Sequence, residues 1–302
     1  MLKTLTVTSQ TDDRLDVFLS EMFENISRAH FQKLIKQGKV FVNGKLQKAS
    51  YKVNFMDKVS FDDAEETVII KAQDIPLNIV YEDENMLVVN KPSGMLTHPT
   101  KTEMENTLVN ALLHYCGDNL SNLNGDYRRG IVHRLDRNTS GLLMVAKNNQ
   151  AHEYLAKLIK ERAIEKKYLT IVKGILEEDF GIIDEPIGRC PKNPCKMIIT
   201  PDGKPSITEF RVIKRFKDCT YLELNLKTGR THQIRVHLSY LNHPILNDSL
   251  YGGNGFKVKT DEQVLQSYKL RFAKPFYGDI INLTIEPDEK LTKVLTWLKN
   301  RV

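Results

Sequence analysis

The segment GLLMVAK, residues 141–147, most constrains how this chain folds. It is short, apolar and bounded by Gly141 and Asn148, which is typical of a strand buried on both faces. The stretch just before it has a single acidic residue, Asp136, among several cations. The sequence therefore predicts a charged loop that is anchored by a buried strand.

The rest of the chain from about residue 78 alternates strand and helix signals. MLVVN (residues 86–90) predicts a buried strand, IVHRLD (131–136) a strand running into a loop, and residues 149–159 a helix capped by Asn148 or Asn149. THQIRVHLSYL predicts a second helix, capped by Thr231, on which His232, Arg235 and Ser239 lie together. Further strands are predicted in KKYLTIVKGIL, TEFRVIKRF and CTYLELNLKTG. Strands outnumber helices and cluster in runs, so the pattern favours an α+β fold with a mixed sheet.

The first 60 residues have the pattern of a separate small module. Residues 1–61 carry 10 Lys and Arg against 6 Asp and Glu, whereas residues 62–85 carry 1 against 8. The acidic stretch DDAEE (62–66) is typical of a linker, which puts the boundary between about residues 62 and 80.

Two short helices and a hairpin are predicted within this module. Leu15, Phe18, Leu19 and Met22 form one apolar helix face, and Ser27 caps a second helix whose buried stripe is Phe31, Leu34 and Ile35. VFVNGK, with its Asn43-Gly44 turn, predicts a β-hairpin. Cations on the exposed face of the second helix suit contact with a phosphate backbone or an ordinary solvated surface equally well.

Composition excludes several classes of protein. No apolar run approaches the length of a membrane span and the start of the chain has no signal-peptide pattern, so we expect a cytoplasmic protein. The four cysteines are too few and scattered for a disulfide framework, and no second close pair completes a zinc site with Cys190 and Cys195.

The Asp136 stretch by itself leaves its role open. HRLDRN is similar to a protein kinase catalytic loop, but Asn138 is too close to Asp136 and no glycine-rich loop precedes it. A Ser-His-Asp hydrolase would need a nucleophile elbow, which is missing. Asp136 as a plain surface counter-charge for Arg134 and Arg137 remains open at this point.

Four motifs together carry a resemblance over nearly the whole chain. NKPSGMLTHP, GIVHRLDRNTSGLLMVAK, ERAIEKKYLTIVKG and LKTGRTHQIRVHL stand in an order and spacing that closely resemble the pseudouridine synthases of the RluA and RluD type, nearest to RluD. The resemblance implies a catalytic domain with a mixed, largely antiparallel sheet over residues 78–302. Residues 1–70 resemble a small N-terminal RNA-binding domain of the αL type, found also in a ribosomal protein, followed by the acidic linker.

The resemblance implies an isomerase that acts mainly on large-subunit ribosomal RNA. In that reaction the ribose–uracil nitrogen bond breaks and the base rejoins through carbon, so no cofactor and no metal is expected. One carboxylate suffices because the uracil is both leaving group and returning nucleophile, unlike the two-carboxylate glycosidases. A transfer-RNA pseudouridine synthase and a non-catalytic RNA-binding ribosome-assembly factor are the alternatives.

Site residues follow from the same resemblance. Asp136 is the catalytic acid, Arg235 keeps it ionised, and Tyr168 stacks on the uracil or takes the proton from its carbon 5. Arg134 fills the space that the flipped base leaves, Arg230 contacts phosphate or orients the pocket, and His133 only positions the loop. The module residues Arg14, Ser27, Arg28 and Lys33 are expected near an RNA backbone.

Overall fold

The structure is a computed structural model, and it describes residues 2–23, 26–62, 69–258, 260 and 262–300. The chain divides into two compact units, residues 1–68 and residues 69–302. Most of the predicted acidic linker, residues 63–66, lies outside the described residues.

The first unit contains two helices and a four-stranded antiparallel sheet. Its helices are α1 (Leu15–Met22) and α2 (Arg28–Lys36), and its strands are β1 (Leu2–Thr6), β2 (Val40–Val42), β3 (Lys45–Leu46) and β4 (Lys58–Asp62). The strands are arranged in the order β1-β4-β2-β3.

Local sequence signals account for most of this unit. Ser27 caps α2 by accepting a hydrogen bond from the backbone N–H of His30, as predicted. Asn43 and Gly44 both have positive φ angles, 50° and 75°, which gives the twist that a two-residue hairpin turn requires. The prediction for Met22 was wrong: this side chain is exposed, because it lies at the last position of α1, beyond the reach of the core.

One hydrophobic core holds the first unit together. Three of its aromatic rings, Phe23, Phe31 and Phe61, meet at centroid distances of 5.0 to 6.2 Å. The fully buried members are Val7, Leu15, Phe18, Leu19, Phe31, Leu34, Val40, Val42, Val53, Val59 and Phe61. The two faces predicted on α1 and α2 are thus packed on the sheet of their own unit.

The second unit contains eleven strands and four helices among the residues that the structure describes. The helices are α3 (Leu108–Cys116), α4 (Asn149–Lys160), α5 (Gln233–Tyr240) and α6 (Glu289–Lys299). The strands are β5 (Ile79–Glu82), β6 (Met86–Lys91), β7 (Ser140–Ala146), β8 (Glu165–Lys173), β9 (Phe180–Asp184), β10 (Ile187–Arg189), β11 (Met197–Ile199), β12 (Ile207–Arg215), β13 (Cys219–Leu226), β14 (Leu265–Ala273) and β15 (Ile280–Thr284).

Nine of these strands form one mixed sheet. Their order is β5-β6-β7-β14-β8-β13-β12-β9, and β15 pairs with the far half of β14. Only the pairing of β7 with β14 is parallel; the others are antiparallel. Strands β10 and β11 form a separate two-stranded sheet. The predicted α+β class and the strands predicted in KKYLTIVKGIL, TEFRVIKRF and CTYLELNLKTG are confirmed.

Strand β7 is buried at all seven positions, as the apolar run predicted. Its second residue, Gly141, has a φ of 113°, and a Cβ there would lie 2.1 Å from the carbonyl oxygen of Ser267 in β14. Only glycine allows this approach. The parallel contact between β7 and β14 therefore begins directly after the Asp136 loop.

Two local predictions in the second unit were wrong. IVHRLD is not a strand: only Ile131 makes a bridge, to Val145, and the residues after it form a loop held by side chains. The cap of α5 is His232 rather than Thr231, and His232 adopts the left-handed conformation at φ 55°. Tertiary contacts of the His232 ring, described below, decide this cap.

No helix among the described residues is long and apolar enough to cross a membrane.

Candidate active site

The loop that carries Asp136 is fixed on its upstream side by buried polar side chains. The Thr97 hydroxyl donates to the carbonyl of Leu135 at 2.9 Å and accepts from the Leu135 N–H at 3.3 Å. The His133 Nε2 atom accepts a hydrogen bond from the backbone N–H of Met144 in β7. Burial lowers the pKa of His133 to about 3, so the ring is neutral and able to accept. The His133 ring thus ties the backbone of β7 to the loop that carries Asp136.

Two lysines hold the loop on its downstream side. The ammonium of the fully buried Lys91 donates to the Arg137 carbonyl at 3.0 Å and to two further carbonyls, of Pro92 and Met95. The Lys290 ammonium, in the first turn of α6, donates to the Asn138 carbonyl at 2.6 Å. The backbone on both sides of Asp136 is therefore tied to other parts of the second unit.

Arg235 connects Asp136 to a second carboxylate. Its Nη1 atom lies 3.3 Å from Oδ2 of Asp136, while Nε and Nη2 make a bidentate pair with Asp248 at 2.7 and 3.0 Å. Asp248 is fully buried, and its Oδ1 also accepts from the backbone N–H groups of Leu250 and Tyr251. Burial alone would lower the pKa of Arg235, but the two carboxylates raise it, so the guanidinium is always charged.

Tyr168 lies in β8 and lines the same pocket as Asp136. Burial raises the pKa of its hydroxyl to about 12; the Ser267 side chain opposes this shift and the charge of Asp136 adds to it. The hydroxyl is therefore protonated at neutral pH. A flat buried ring with a protonated hydroxyl is better suited to packing against a base than to accepting a proton.

The pocket around these residues is about 450 Å³, which is within the usual range for small-molecule sites. Among the residues that the structure describes, Asp136 is the only acidic one that lines it. Seven cations line it as well: Arg134, Lys160, Arg162, Lys166, Lys227, Arg230 and Arg235. A pocket with this balance of charge is suited to a polyanion.

The two arginines predicted to face RNA both line this pocket. Arg134 is exposed, and Arg230 is exposed with its Nε donating to the Pro205 carbonyl at 3.3 Å. Arg137, the arginine that directly follows Asp136, forms an ion pair with Glu103 instead. The structure thus brings together Asp136, Tyr168, Arg235, Arg134 and Arg230.

The four predicted residues of the N-terminal module lie in the first unit. Arg14 and Arg28 are both paired with the buried Asp16, at 3.0 and 2.9 Å, and Gln32 donates to the same carboxylate. Burial alone would raise the pKa of Asp16, but these hydrogen bonds outweigh it and hold the pKa well below the ordinary range. The Ser27 hydroxyl accepts the α2 cap hydrogen bond, while Lys33 is exposed.

Sequence reasoning missed Asp248, Tyr251 and the position of His232. His232 lines the pocket with its Nε2 atom 3.9 Å from Asp136 Oδ2, and its ring meets Tyr251 edge-on. Asp248 and Tyr251 lie in the segment NDSLYGG, to which no role was assigned from the sequence. The available signal was Arg235 itself. An arginine expected beside one carboxylate, Asp136, has further N–H groups, and a second anion is needed to hold them.

Cys190 and Cys195 flank the turn between β10 and β11. Cys195 is exposed, and the Cys190 N–H donates to the Lys196 carbonyl at 2.9 Å. Within the described part of the chain, no group of three or more His, Cys, Asp or Glu side chains is placed to hold a metal ion.

Comparison with known proteins identifies the class of enzyme to which this fold and pocket belong. Residues 85–240 match the family model described as RNA pseudouridylate synthase, and residues 13–59 match the S4 domain. A solved structure, human RNA pseudouridylate synthase domain containing 1, aligns with a TM-score of 0.57 at 26% identity, covering 74% of this chain and 95% of that one. The fold is therefore that of RNA pseudouridine synthases.

Curated relatives match over most of their length. A Bacillus subtilis (strain 168) protein named uncharacterized RNA pseudouridine synthase YlyB is 41% identical over 96% of this chain and 95% of its own. The Escherichia coli O157:H7 ribosomal large subunit pseudouridine synthase D is 39% identical over 89% of this chain and 86% of its own. This chain belongs to the RNA pseudouridylate synthase family and is an RNA pseudouridine synthase.

Proposed function

We propose that this enzyme converts particular uridines of large-subunit ribosomal RNA to pseudouridine, with Asp136 as its catalytic carboxylate. The observation that carries the proposal is a pocket whose lining, among the described residues, has one acidic residue and seven cations. An arginine that a buried carboxylate orients holds this acidic residue. Relatives named ribosomal large subunit pseudouridine synthase D support the choice of RNA.

The reaction is an isomerisation, so the composition of the substrate is unchanged. The bond from ribose C1′ to uracil N1 breaks, the ring turns, a bond forms from C1′ to C5, and the proton on C5 is exchanged for one on N1. A carboxylate is required at the sugar while the C1′ centre is electron-poor, either as a nucleophile or as a counter-charge. The Asp136 side chain lines the pocket and is 17% exposed, which supports this role.

Arg235 and Tyr168 have supporting roles in this scheme. The guanidinium is a counter-charge for the Asp136 carboxylate and opposes the repulsion between that carboxylate and the RNA phosphates. The Tyr168 ring offers the flipped uracil a face for stacking, which is typically worth about 1–3 kcal/mol per base. Because burial raises the pKa of the Tyr168 hydroxyl, the hydroxyl keeps its proton, and we assign Tyr168 to stacking on the base rather than to accepting a proton.

The cations at the pocket bind the RNA around the target. A uridine in folded RNA must leave its stack to reach Asp136, which costs a few kcal/mol. We assign Arg134 to the space left by the flipped base and Arg230 to a neighbouring phosphate. Residues 1–70 supply a second RNA contact through Arg14, Ser27, Arg28 and Lys33, and residues 78–302 form the catalytic domain.

Replacing Asp136 with Asn tests the proposal. The amide keeps the size of the side chain but removes its charge, so we expect pseudouridine formation to fall by more than about 1,000-fold. Tritium release from uracil-labelled ribosomal RNA measures turnover, and filter binding measures RNA affinity, which should stay within roughly threefold of the wild type because phosphate contacts dominate it.

Asp126→Asn is the matched control, because the Asp126 carboxylate is exposed and paired only with Arg129. Turnover by Asp136→Asn at the control level would overturn the assignment of Asp136. The RNA class is tested by mapping pseudouridines in a deletion strain. If pseudouridines were lost only from transfer RNA, the substrate would be transfer RNA instead of ribosomal RNA. If no pseudouridine were lost and the wild-type protein were inactive in vitro, the protein would be a non-catalytic RNA-binding factor.

A further inference from the structure

The backbone of His232 is held in a conformation that residues other than glycine rarely adopt. Its φ and ψ angles are 55° and 19°, and its side chain makes no cap hydrogen bond to α5. A left-handed residue of this kind costs of order 1–3 kcal/mol and persists where surrounding contacts hold it. The histidine ring is therefore directed by its tertiary contacts.

Those contacts form a short chain of hydrogen bonds from the β10–β11 sheet. The backbone N–H of Met197 donates to the Tyr251 hydroxyl oxygen at 2.9 Å, and that oxygen lies 2.9 Å from His232 Nδ1. Because the oxygen already accepts from Met197, the hydroxyl proton is free to point at Nδ1. The reverse assignment would leave the hydroxyl proton without an acceptor among the described residues.

This arrangement fixes the tautomer of the ring. Burial lowers the pKa of His232, although the charge of Asp136 opposes the shift, so the imidazole is neutral at pH 7. With Nδ1 as the acceptor of the Tyr251 hydroxyl, the single ring proton is on Nε2.

The Nε2 proton faces the reaction site. Nε2 lies 3.9 Å from Oδ2 of Asp136, the oxygen that also contacts Arg235. This distance is too long for a hydrogen bond, so the donor is not consumed by the carboxylate. The ring lines the pocket and its side chain is 17% exposed there.

We infer that His232 donates its Nε2–H to a carbonyl oxygen of the uracil as the base leaves the ribose. The inference rests on the proposed function. When the C1′–N1 bond breaks, its electron pair passes to the uracil and is shared with the ring carbonyl oxygens. A fixed donor at one of those oxygens stabilises this charge without transferring a proton. Tyr251 is a positioning residue, since it acts only by setting the tautomer of His232.

Replacing His232 with Asn tests the donor. Asparagine tolerates the left-handed backbone, but its shorter amide does not reach the position of Nε2. We expect kcat to fall by roughly 100-fold, the typical effect of removing one such donor, with KM changed by less than about threefold. Wild-type kcat in His232→Asn would overturn the inference while leaving the proposed function intact. An inactive wild-type enzyme would instead remove the proposed function.

A double-mutant cycle with Tyr251→Phe tests whether the Tyr251 hydroxyl acts through His232 or has a structural role. Phenylalanine keeps the ring that faces the Arg235 guanidinium at 5.0 Å and removes only the hydroxyl. We expect Tyr251→Phe to lower kcat by about tenfold alone and to cause no further loss in the His232→Asn background, because coupled residues are not additive.

Tyr240→Phe is the matched control. Tyr240 is an exposed residue of α5, the helix that His232 caps, and its hydroxyl contacts Glu185. If the losses of kcat in His232→Asn and Tyr251→Phe were fully additive, Tyr251 would not act through His232. Equal losses in Tyr240→Phe and Tyr251→Phe would contradict the inference as well. Nitrogen-15 NMR of the histidine side chains gives a second reading: the wild type should show the proton of His232 on Nε2, and Tyr251→Phe should shift it towards Nδ1.

Discussion

At the scale of the residue, one guanidinium does two tasks that no other side chain combines. Arg235 fills both oxygens of the buried Asp248 with Nε and Nη2 and still presents Nη1 to Asp136. The guanidinium carbon of the same group lies 5.0 Å from the centroid of the Tyr251 ring. A lysine ammonium is a point charge without this fork, so it cannot serve both carboxylates in this geometry.

We therefore expect Arg235→Lys to lower kcat by about 100-fold although the charge is kept, because Asp136 loses its fixed partner. Single-turnover kinetics with saturating RNA measures the effect. Arg211→Lys is the control, since Arg211 is exposed and pairs with Glu223 at 3.2 Å. Activity of Arg235→Lys within twofold of this control would show that charge alone is sufficient.

At the scale of the element, helix α6 holds the loop that carries Asp136. Asp288 caps the helix by accepting from the Leu291 N–H, and the same carboxylate accepts from the Ser140 hydroxyl. The Lys290 ammonium donates to the carbonyls of Asn138 and Gln263 at 2.6 and 2.9 Å. The apolar face of α6, which includes Leu291, is buried, so its first turn is a rigid support for the loop.

Replacing Lys290 with Met tests this support, because methionine keeps the apolar stem and removes both hydrogen bonds. Each bond to a charged group is worth about 1.5–3 kcal/mol, so we expect faster amide exchange in residues 136–139 and a kcat roughly tenfold lower. Hydrogen exchange by mass spectrometry and steady-state kinetics measure the two effects. Lys299→Met, at the exposed end of the same helix, is the control, and equal behaviour of the two variants would contradict the role of Lys290.

At the scale of the whole molecule, the two units have separate cores and separate sheets. Asp16 is a buried charge of the first unit, and it is paired with Arg14 and Arg28 and accepts a hydrogen bond from Gln32. Its pKa in the folded unit is held below the ordinary value of 3.8. The stabilisation it contributes is therefore present above pH 3.8 and is lost as the pH falls below that value.

Asp16→Asn should lower the free energy of unfolding of the first unit by about 2 kcal/mol at pH 7, since it weakens three hydrogen bonds to a charged group. Hydrogen exchange, corrected for its intrinsic pH dependence, should show less protection in residues 2–62 and unchanged protection in residues 140–146. The wild type should approach the variant as the pH falls from 4 towards 2. Equal loss of protection in both ranges would mean that the units unfold together.

Sequence patterns were sufficient wherever the structure is decided by neighbours along the chain. The burial of β7, the Asn43-Gly44 hairpin and the Ser27 cap depend on the polarity and backbone freedom of a few adjacent residues, and all three are confirmed. The resemblance of the motifs also predicted one shared site for Asp136, Tyr168 and Arg235, and all three line the same pocket. The exposed Met22 shows the limit of periodicity, which does not say where a core ends.

Tertiary structure alone decided which partners complete the site. The sequence has 38 acidic residues, and nothing along the chain marks one of them as the partner of Arg235. Folding brings the buried Asp248 against Nε and Nη2 of this arginine. The same is true of His232, whose left-handed backbone and ring direction depend on Tyr251 and on Met197 in β11. The sequence by itself determined the elements and the chemistry available to them. The positions of charge and proton around Asp136 were set by long-range contacts, because hydrogen bonds depend on distance and direction in space.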